Sequence, residues 1–133
     1  MIMKKTIEVS INTCGVTQKA LIECDRKNLT LALRTKNGLS KTYTAQDLFQ
    51  CFGLLRADFQ EINFLCKGAK VNVYPSRMAS QMAGGIVAYE LQLGRPAETE
   101  DIVNIFDFDD TDITNDIQQQ RDFYKRWIES LMH

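Results

Sequence analysis

The first third of this sequence is constrained most by apolar residues that recur at every second position. They form two runs, which are Ile7, Val9 and Ile11, and then Leu29, Leu31 and Leu33. A period of two places each run on one face of a β-strand, with polar residues on the other face. Asn37-Gly38 follows the second run, and both residue types tolerate the positive φ of a two-residue hairpin turn. We therefore predict an antiparallel meander, with further strands at residues 19–24 and 40–43.

The middle of the chain changes to helical spacing. Apolar residues recur there at intervals of three and four, at Leu48, Phe49, Phe52, Leu55 and Phe59. This spacing predicts a helix, and Thr44 with Asp47 three residues later resembles a capping arrangement at its start. Apolar runs at residues 62–66 and 71–74 predict a second hairpin. Pro75 ends that hairpin, because proline cannot continue a central strand.

Residues 76–83 have the composition of one or two helical turns that stop at Gly84-Gly85. Two methionines four residues apart, Met78 and Met82, are expected to pack inward. The outward side would then carry Arg77, Ser80 and Gln81. That side is a second candidate contact surface for a partner, and the alternative is a short helix that only covers the core.

The last third adds strands and one long helix. Alternating apolar residues predict a strand at residues 87–93, and a β-branched run predicts another at residues 102–108. The C-terminal helix is predicted from an apolar face made of Ile113, Ile117, Tyr124, Trp127, Ile128 and Leu131. Without regular βαβ alternation, the fold class is predicted to be α+β. It comprises an antiparallel sheet, one mid-chain helix, a short helical turn and a long C-terminal helix, in a single domain of residues 1–133.

Charge is distributed unevenly along the chain, although the formal net charge is only −1. Residues 1–95 carry 13 Lys or Arg against 7 Asp or Glu, whereas residues 96–120 contain no Lys or Arg. The acids of this second range, here called the acidic segment, are Glu98, Glu100, Asp101, Asp107, Asp109, Asp110, Asp112 and Asp116. One or two could stabilise the start of the last helix, by about 0.3–1 kcal/mol each. Because the others repel one another, we predict that they bind a protein with a basic surface.

Composition argues against most kinds of catalytic and metal site. The only histidine, His133, is the last residue, so no imidazole is placed as a base for Ser-His or Cys-His catalysis. The four cysteines form no Cys-x-x-Cys pair, which makes a zinc site improbable. Cys24 and Cys51 lie in apolar patterns and are expected to be buried as small hydrophobic residues. We therefore expect neither a metal nor a cofactor.

Asp107-Phe-Asp109-Asp-Thr111 follows an apolar run and resembles the nucleophile motif of haloacid-dehalogenase-like phosphatases. The resemblance implies Asp107 as nucleophile and Asp109 as proton donor, with Mg²⁺ between them. That family, however, opens its Rossmann-like domain with the motif, whereas only 22 residues follow Thr111 here. The same stretch fails as a calcium loop, because Asp112 stands where glycine is required and Gln118 where glutamate is required.

Nucleic-acid and membrane partners are not expected. The basic residues of the first third are scattered over predicted turns and outward faces, at Lys4, Lys5, Lys19, Arg26, Lys27, Arg34, Lys36 and Lys41. The acidic segment would repel phosphate. No apolar run approaches the roughly 20 residues of a membrane span. Glu8 and Ser10 interrupt the apolar part that a signal peptide would need, so we expect a cytoplasmic protein.

Two stretches carry a family resemblance. The residues from Tyr74 to Leu91 (YPSRMASQMAGGIVAYEL) and from Asn104 to Asp107 (NIFD) are similar to segments of immunity proteins from contact-dependent growth inhibition systems. The resemblance implies a cytoplasmic protein that binds the C-terminal domain of a toxin, often a nuclease with a basic active site, and blocks access of its substrate. We expect it to act as a monomer that binds 1:1. No functional residue carries over by motif, so the acidic segment is the predicted contact from charge alone. A secretion chaperone that binds an effector segment, usually a homodimer that begins with a helix, is the first alternative, and a small Asp-dependent phosphatase is the second.

Overall fold

A computed structural model describes residues 4–35 and 37–132 of the chain, and Met1–Met3, Lys36 and His133 lie outside these ranges. The strands are β1 (Lys4–Thr13), β2 (Val16–Asp25), β3 (Thr30–Thr35), β4 (Gly38–Leu39), β5 (Tyr43–Thr44), β6 (Ile62–Phe64), β7 (Val73–Tyr74), β8 (Val87–Glu90) and β9 (Ile102–Asn104). The helices are α1 (Leu48–Asp58), α2 (Arg77–Met82) and α3 (Ile117–Ser130), with 3₁₀ turns at Lys67–Ala69 and Thr99–Asp101. The predicted α+β class is confirmed, with its mid-chain helix, short helix and C-terminal helix.

The larger sheet is antiparallel and has the order β4-β3-β2-β1-β6, with β5 also beside β3. Ile7 pairs with Ile22, and Ile22 pairs with Leu33, so the alternating apolar residues of three strands share one face. This confirms the predicted meander. The predicted strand at residues 40–43 is wrong, because the regular pairing with β3 is interrupted at Ser40, although the N–H of Ser40 still donates to Leu33 O over 2.7 Å. The Oγ of Ser40 accepts the Leu33 N–H over 2.8 Å, and β4 and β5 lie on either side of the interruption.

The smaller sheet has the antiparallel order β7-β8-β9. The predicted hairpin between residues 62–66 and 71–74 is therefore wrong, since β6 pairs with β1 and β7 pairs with β8. The residues between β6 and β7 form a 3₁₀ turn instead of a hairpin turn. Gly68 packs there so closely that an added Cβ would lie 2.6 Å from the Cβ of Ile105. Gly68 N–H also donates to Ile105 O over 2.7 Å, which fastens this turn to the segment after β9.

Helix α1 covers the apolar face of the larger sheet and supplies two aromatic side chains of the core. Phe49 and Phe52 have no exposed surface, and the Phe52 ring contacts the rings of Phe64 and Phe106 edge-on, with centroids 5.6 and 5.4 Å apart. The N-cap of α1 is Asp47, not Thr44. Its Oδ1 accepts the N–H of Gln50 over 2.8 Å, which satisfies one of the free amides at the helix start.

Three boundaries in the last third differ from the prediction. The strand expected at residues 87–93 ends at Glu90. The strand expected at residues 102–108 ends at Asn104, because the Oδ1 of Asn104 accepts the N–H of Phe106 over 2.9 Å and turns the chain. Helix α3 begins at Ile117 and not at Ile113, which forms an isolated β-bridge with Lys70. Among the described residues, none of the helices is both long and apolar enough to cross a membrane.

Candidate functional site

The acidic segment occupies two irregular stretches on either side of β9. Glu98, Glu100 and Asp101 lie at the 3₁₀ turn before this strand, and the other acids lie between β9 and α3. We call residues 105–116 the acidic loop. The exposed acids are Glu98, Glu100, Asp107, Asp110, Asp112 and Asp116, whereas Asp101 and Asp109 are partly buried. The segment is thus largely at the surface, with one acid of each stretch turned inward.

Asp109 is the inward acid of the acidic loop, and two lysines neutralise it. Its Oδ2 lies 2.9 Å from the Nζ of Lys70 and 3.1 Å from the Nζ of Lys67. Glu90 on β8 completes the group, with carboxylate oxygens 3.1 and 3.2 Å from the same two ammonium groups. We call these four residues the ion cluster. The ion cluster has no net charge, and the side chain of Lys70 is only 5% exposed. Its ion pairs therefore connect the acidic loop to β8 within the protein.

Burial by itself raises the pKa of Asp109. Hydrogen bonds from Lys70, Thr111 and Lys67 outweigh that effect and hold the pKa well below its usual range. The amide and hydroxyl of Thr111 both donate to Oδ1, over 2.9 and 2.8 Å. Asp109 is therefore an ionised carboxylate with both oxygens occupied, and its charge is already compensated within the chain.

Backbone hydrogen bonds hold the acidic loop along the segment that follows β6. Lys67 N–H donates to Asp107 O over 2.8 Å, and Val71 N–H donates to Asp112 O over 2.8 Å. The pairing is antiparallel and includes isolated bridges between Cys66 and Phe108 and between Lys70 and Ile113. Asp112 adopts the left-handed conformation, with φ of 58°, where the loop turns away. The loop is consequently a fixed structure, although it contains little regular secondary structure.

Three further acids stabilise local structure. The Glu98 side chain accepts the backbone N–H of Asp101 in a capping box at the 3₁₀ turn. Asp101 Oδ2 accepts the N–H of Glu98 over 2.9 Å at the 3₁₀ turn, and Asp116 Oδ1 accepts the N–H of Gln118 over 2.9 Å at the start of α3. Four other carboxylates have neither a hydrogen bond nor an ion pair with any side chain or amide in residues 4–35 and 37–132. They belong to Glu100, Asp107, Asp110 and Asp112. These four are the acids with charge available to a partner.

Phe108 is a surface residue that the sequence did not single out. It is 60% exposed between two unpartnered acids, Asp107 and Asp110, whereas Phe106 is buried against α1. A continuous strand would have placed both rings on the same face. The turn after Asn104 separates them. The only signal in the sequence was an aromatic residue within a run of aspartates.

The arrangement differs from the one a phosphatase of the resembled type requires. Asp107 and Asp109 follow an antiparallel strand, and the two lysines favour the ionised form of Asp109, whereas a proton donor must be protonated. Across residues 4–35 and 37–132, no three His, Cys, Asp or Glu side chains are grouped closely enough to hold a metal ion.

The cysteines are free thiols. Cys24 and Cys51 are buried, as the sequence predicts, and Cys66 is buried with them, while Cys14 is exposed in the β1–β2 turn. Burial raises the pKa of Cys24 and Cys51 to about 11 and that of Cys66 to about 12. These three thiols are therefore protonated at neutral pH and belong to the core.

Helix α2 confirms the predicted exposure of Arg77 and Gln81, but it turns its two methionines outward and Ser80 inward, against the prediction. Met78 and Met82 are 71% and 81% exposed, and the hydroxyl of Ser80 between them donates to Asp47. Residues two apart on a helix lie on nearly opposite sides, so turning Ser80 inward turns both methionines outward. The prediction that the methionines pack inward is wrong. The spacing of the methionines could not predict this orientation, because it depends on the hydrogen bond from Ser80 to Asp47, a residue 33 positions earlier in the chain.

No protein-family model matches this sequence, and no curated protein matches it.

Proposed function

We propose that this chain is a non-enzymatic inhibitor of the immunity-protein type. It neutralises the C-terminal toxin domain of a contact-dependent inhibition system by covering a basic surface of that domain, which is a nuclease in the favoured case. It acts in the cytoplasm as a monomer in a 1:1 complex. The observation that supports this proposal is the acidic loop, in which the exposed Phe108 lies in the chain between Asp107 and Asp110, whose exposed carboxylates have no partner among the described residues.

Both the charge of the acidic loop and its ordered backbone favour binding to a basic surface. Carboxylates without partners lose no internal ion pair when they meet a basic surface, and long-range attraction accelerates the encounter. An aromatic side chain at the centre of such a patch can supply the apolar contact that dominates many interfaces. Because Asp109 and the backbone bonds to Lys67 and Val71 already order the loop, binding costs little conformational entropy.

The experiment is co-expression with the toxin domain encoded by the neighbouring upstream gene, scored by growth, followed by titration calorimetry on the purified pair. We expect growth rescue and a tight 1:1 complex. The double variant Asp107→Lys/Asp110→Lys should bind at least about tenfold more weakly and lose most of its dependence on salt. The matched control is Glu8→Lys/Glu61→Lys, which makes the same charge change at two exposed acids outside the acidic segment and should bind normally.

Two outcomes oppose this proposal in different ways. Growth rescue with unchanged affinity in the Asp107→Lys/Asp110→Lys variant rejects the acidic loop as the contact but keeps the inhibitor. Toxicity without rescue and without binding rejects the inhibitor itself. A homodimer in light scattering would favour the secretion-chaperone alternative, whereas a monomer of 15.2 kDa agrees with 1:1 binding.

A further inference from the structure

A groove of about 880 Å³ lies between α2, the β2–β3 turn and α3, and none of its lining residues belongs to the acidic segment. The residues that give it chemical character come from five elements and are Arg26, Lys27, Phe49, Tyr74, Arg77 and Tyr124. The proposed function does not use this surface, so its role needs a separate explanation.

Three cations line the groove without an acid to neutralise them. Arg26, Lys27 and Arg77 form no ion pair within 4 Å with any carboxylate in the described ranges. Asp47 also lines the groove, but it is 1% exposed and its oxygens accept hydrogen bonds from Gln50 N–H and the Ser80 hydroxyl. The groove therefore presents positive charge on a chain whose net charge is −1.

Asp25, the acid beside Arg26 in the sequence, does not neutralise the groove. Its carboxylate is turned into the β2–β3 turn, where it accepts the amides of Lys27 and Asn28 and the side-chain N–H of Asn28 over 2.8 Å. These bonds lower the pKa of Asp25, with the Asn28 side chain as the main cause. The carboxylate shapes the turn and leaves the basic side chains available to a ligand.

Apolar surface adjoins these cations. Tyr74 stacks on Tyr124 with ring centroids 4.6 Å apart and also contacts Phe49 edge-on, at 5.2 Å. Helix α2 buries none of its side chains, and its two methionines are among the most exposed apolar residues in the described chain. Flexible, polarisable methionines are common where a surface accepts a partner segment. The groove thus combines three positively charged side chains with the aromatic rings of Tyr74 and Tyr124 and the exposed side chain of Met82.

We propose that this groove binds an acidic peptide segment of a partner protein, with apolar side chains between its carboxylates. The three cations would pair with the carboxylates, and the tyrosines and Met82 would contact the apolar side chains. A nucleic acid fits less well, because its phosphate backbone needs a longer basic track than the three cations of this groove provide. This inference is independent of the proposed function, which concerns a basic partner on a different surface.

The test is fluorescence anisotropy with the full chain and a labelled synthetic peptide of alternating Glu and Leu. The wild-type protein should bind this peptide, and Arg26→Glu/Lys27→Glu/Arg77→Glu should weaken binding at least about tenfold. The variant Met82→Ser should weaken it about threefold. The matched charge control reverses three exposed lysines outside the groove, namely Lys4, Lys5 and Lys125, and should bind within about twofold of wild type.

Circular dichroism establishes that each variant is folded, and amide NMR shifts locate the peptide on the wild-type protein. Shifts at Ser80, Gly84 and Tyr124 support the groove, and shifts confined to other surfaces overturn it. Failure of the wild type to bind the Glu-Leu peptide also overturns the proposal. Equal weakening by the lysine control, or equal binding of a Lys-Leu peptide, rejects charge complementarity. Tighter binding of a single-stranded DNA oligonucleotide that displaces the peptide would assign the groove to nucleic acid instead.

Discussion

The guanidinium of Arg56 donates a hydrogen bond from Nη2 to Oε1 of Gln120 over 2.8 Å, and neither side chain is exposed to solvent. This contact joins α1 to α3. Nη1 of Arg56 donates to Thr114 O over 2.6 Å, and Nε2 of Gln120 donates to Gly68 O and Lys70 O over 2.9 and 2.7 Å. One buried pair therefore links two helices, the end of the acidic loop and the turn that carries the lysines of the ion cluster.

Replacing Arg56 with methionine should lower the free energy of unfolding by about 3 kcal/mol. The apolar side chain fills similar space, but it leaves Gln120 Oε1 without its donor inside the protein. Urea unfolding followed by circular dichroism measures the change. The control Arg126→Met alters an exposed arginine of α3 and should change stability by at most about 0.5 kcal/mol. Equal effects of the two substitutions would contradict the role assigned to Arg56.

Replacing Asp109 with asparagine should destabilise the acidic loop, because Lys67 and Lys70 then share only Glu90 as a counter-ion. We expect a loss of about 2 kcal/mol, since the cluster is only partly buried. Faster hydrogen exchange at the loop amides is the direct readout. The neighbouring control Asp110→Asn removes an exposed, unpartnered carboxylate and should leave stability and exchange unchanged.

The ion cluster also predicts how stability depends on pH. The folded pKa of Asp109 lies below its unfolded value of about 3.9, so its contribution is complete above about pH 5 and is lost as pH falls toward the folded pKa. Burial lowers the pKa of Lys67 and Lys70, but their hydrogen bonds to Asp109 and Glu90 raise it by more, so that the folded pKa of both lysines lies above the unfolded value. The stability that these lysines contribute is therefore lost as pH rises through the raised pKa. Unfolding measured from acidic to alkaline pH should show both limbs. The Asp109→Asn variant should show a flatter acidic limb, and an unchanged one would oppose this account.

Alanine substitutions of Phe108 and Phe106 should have different effects, the first on binding and the second on stability. Phe108→Ala should weaken binding of the toxin domain at least about tenfold while stability changes little, because its ring is 60% exposed. Phe106→Ala should cost about 3–5 kcal/mol of stability, because its ring packs against Phe52. Calorimetric titration and urea unfolding on both variants separate the effects. Normal binding by the folded Phe108→Ala protein would remove this ring from the proposed interface.

Gly68 and Gly53 should respond differently to alanine. A Cβ on Gly68 would lie 2.8 Å from the backbone oxygen of Ile105, which cannot move without breaking the Gly68–Ile105 hydrogen bond. A Cβ on Gly53 would lie 2.5 Å from the Cδ1 of Ile117, which can rotate away, and 3.1 Å from its Cβ, which a small shift of the side chain relieves. Gly68→Ala should therefore cost about 1–3 kcal/mol. Gly53→Ala should cost less, because alanine favours α1 by about 1 kcal/mol. Urea unfolding of both variants tests the order, and a larger loss at Gly53 would contradict it.

The sequence alone determined the elements that depend on neighbouring residues. The alternation through Ile7, Val9 and Ile11 predicted β1, and the three- and four-residue spacing around Phe49 and Phe52 predicted α1. Both periods reflect the geometry of a single strand or helix turn, so no distant residue is needed to recognise them. The charge of the acidic segment was equally evident, because it is a property of composition.

Only the tertiary structure decided which elements meet and which charges stay available. The partners of Asp109 are lysines 39 and 42 residues earlier in the chain, and Glu90 comes from a strand of the second sheet. Pairing of β6 with β1 depended on long-range packing that the short run at residues 62–66 does not encode locally. The turn after Asn104 likewise buried Phe106 and exposed Phe108. Local periodicity is read within a few residues, whereas neutralisation and burial depend on contacts between distant parts of the chain.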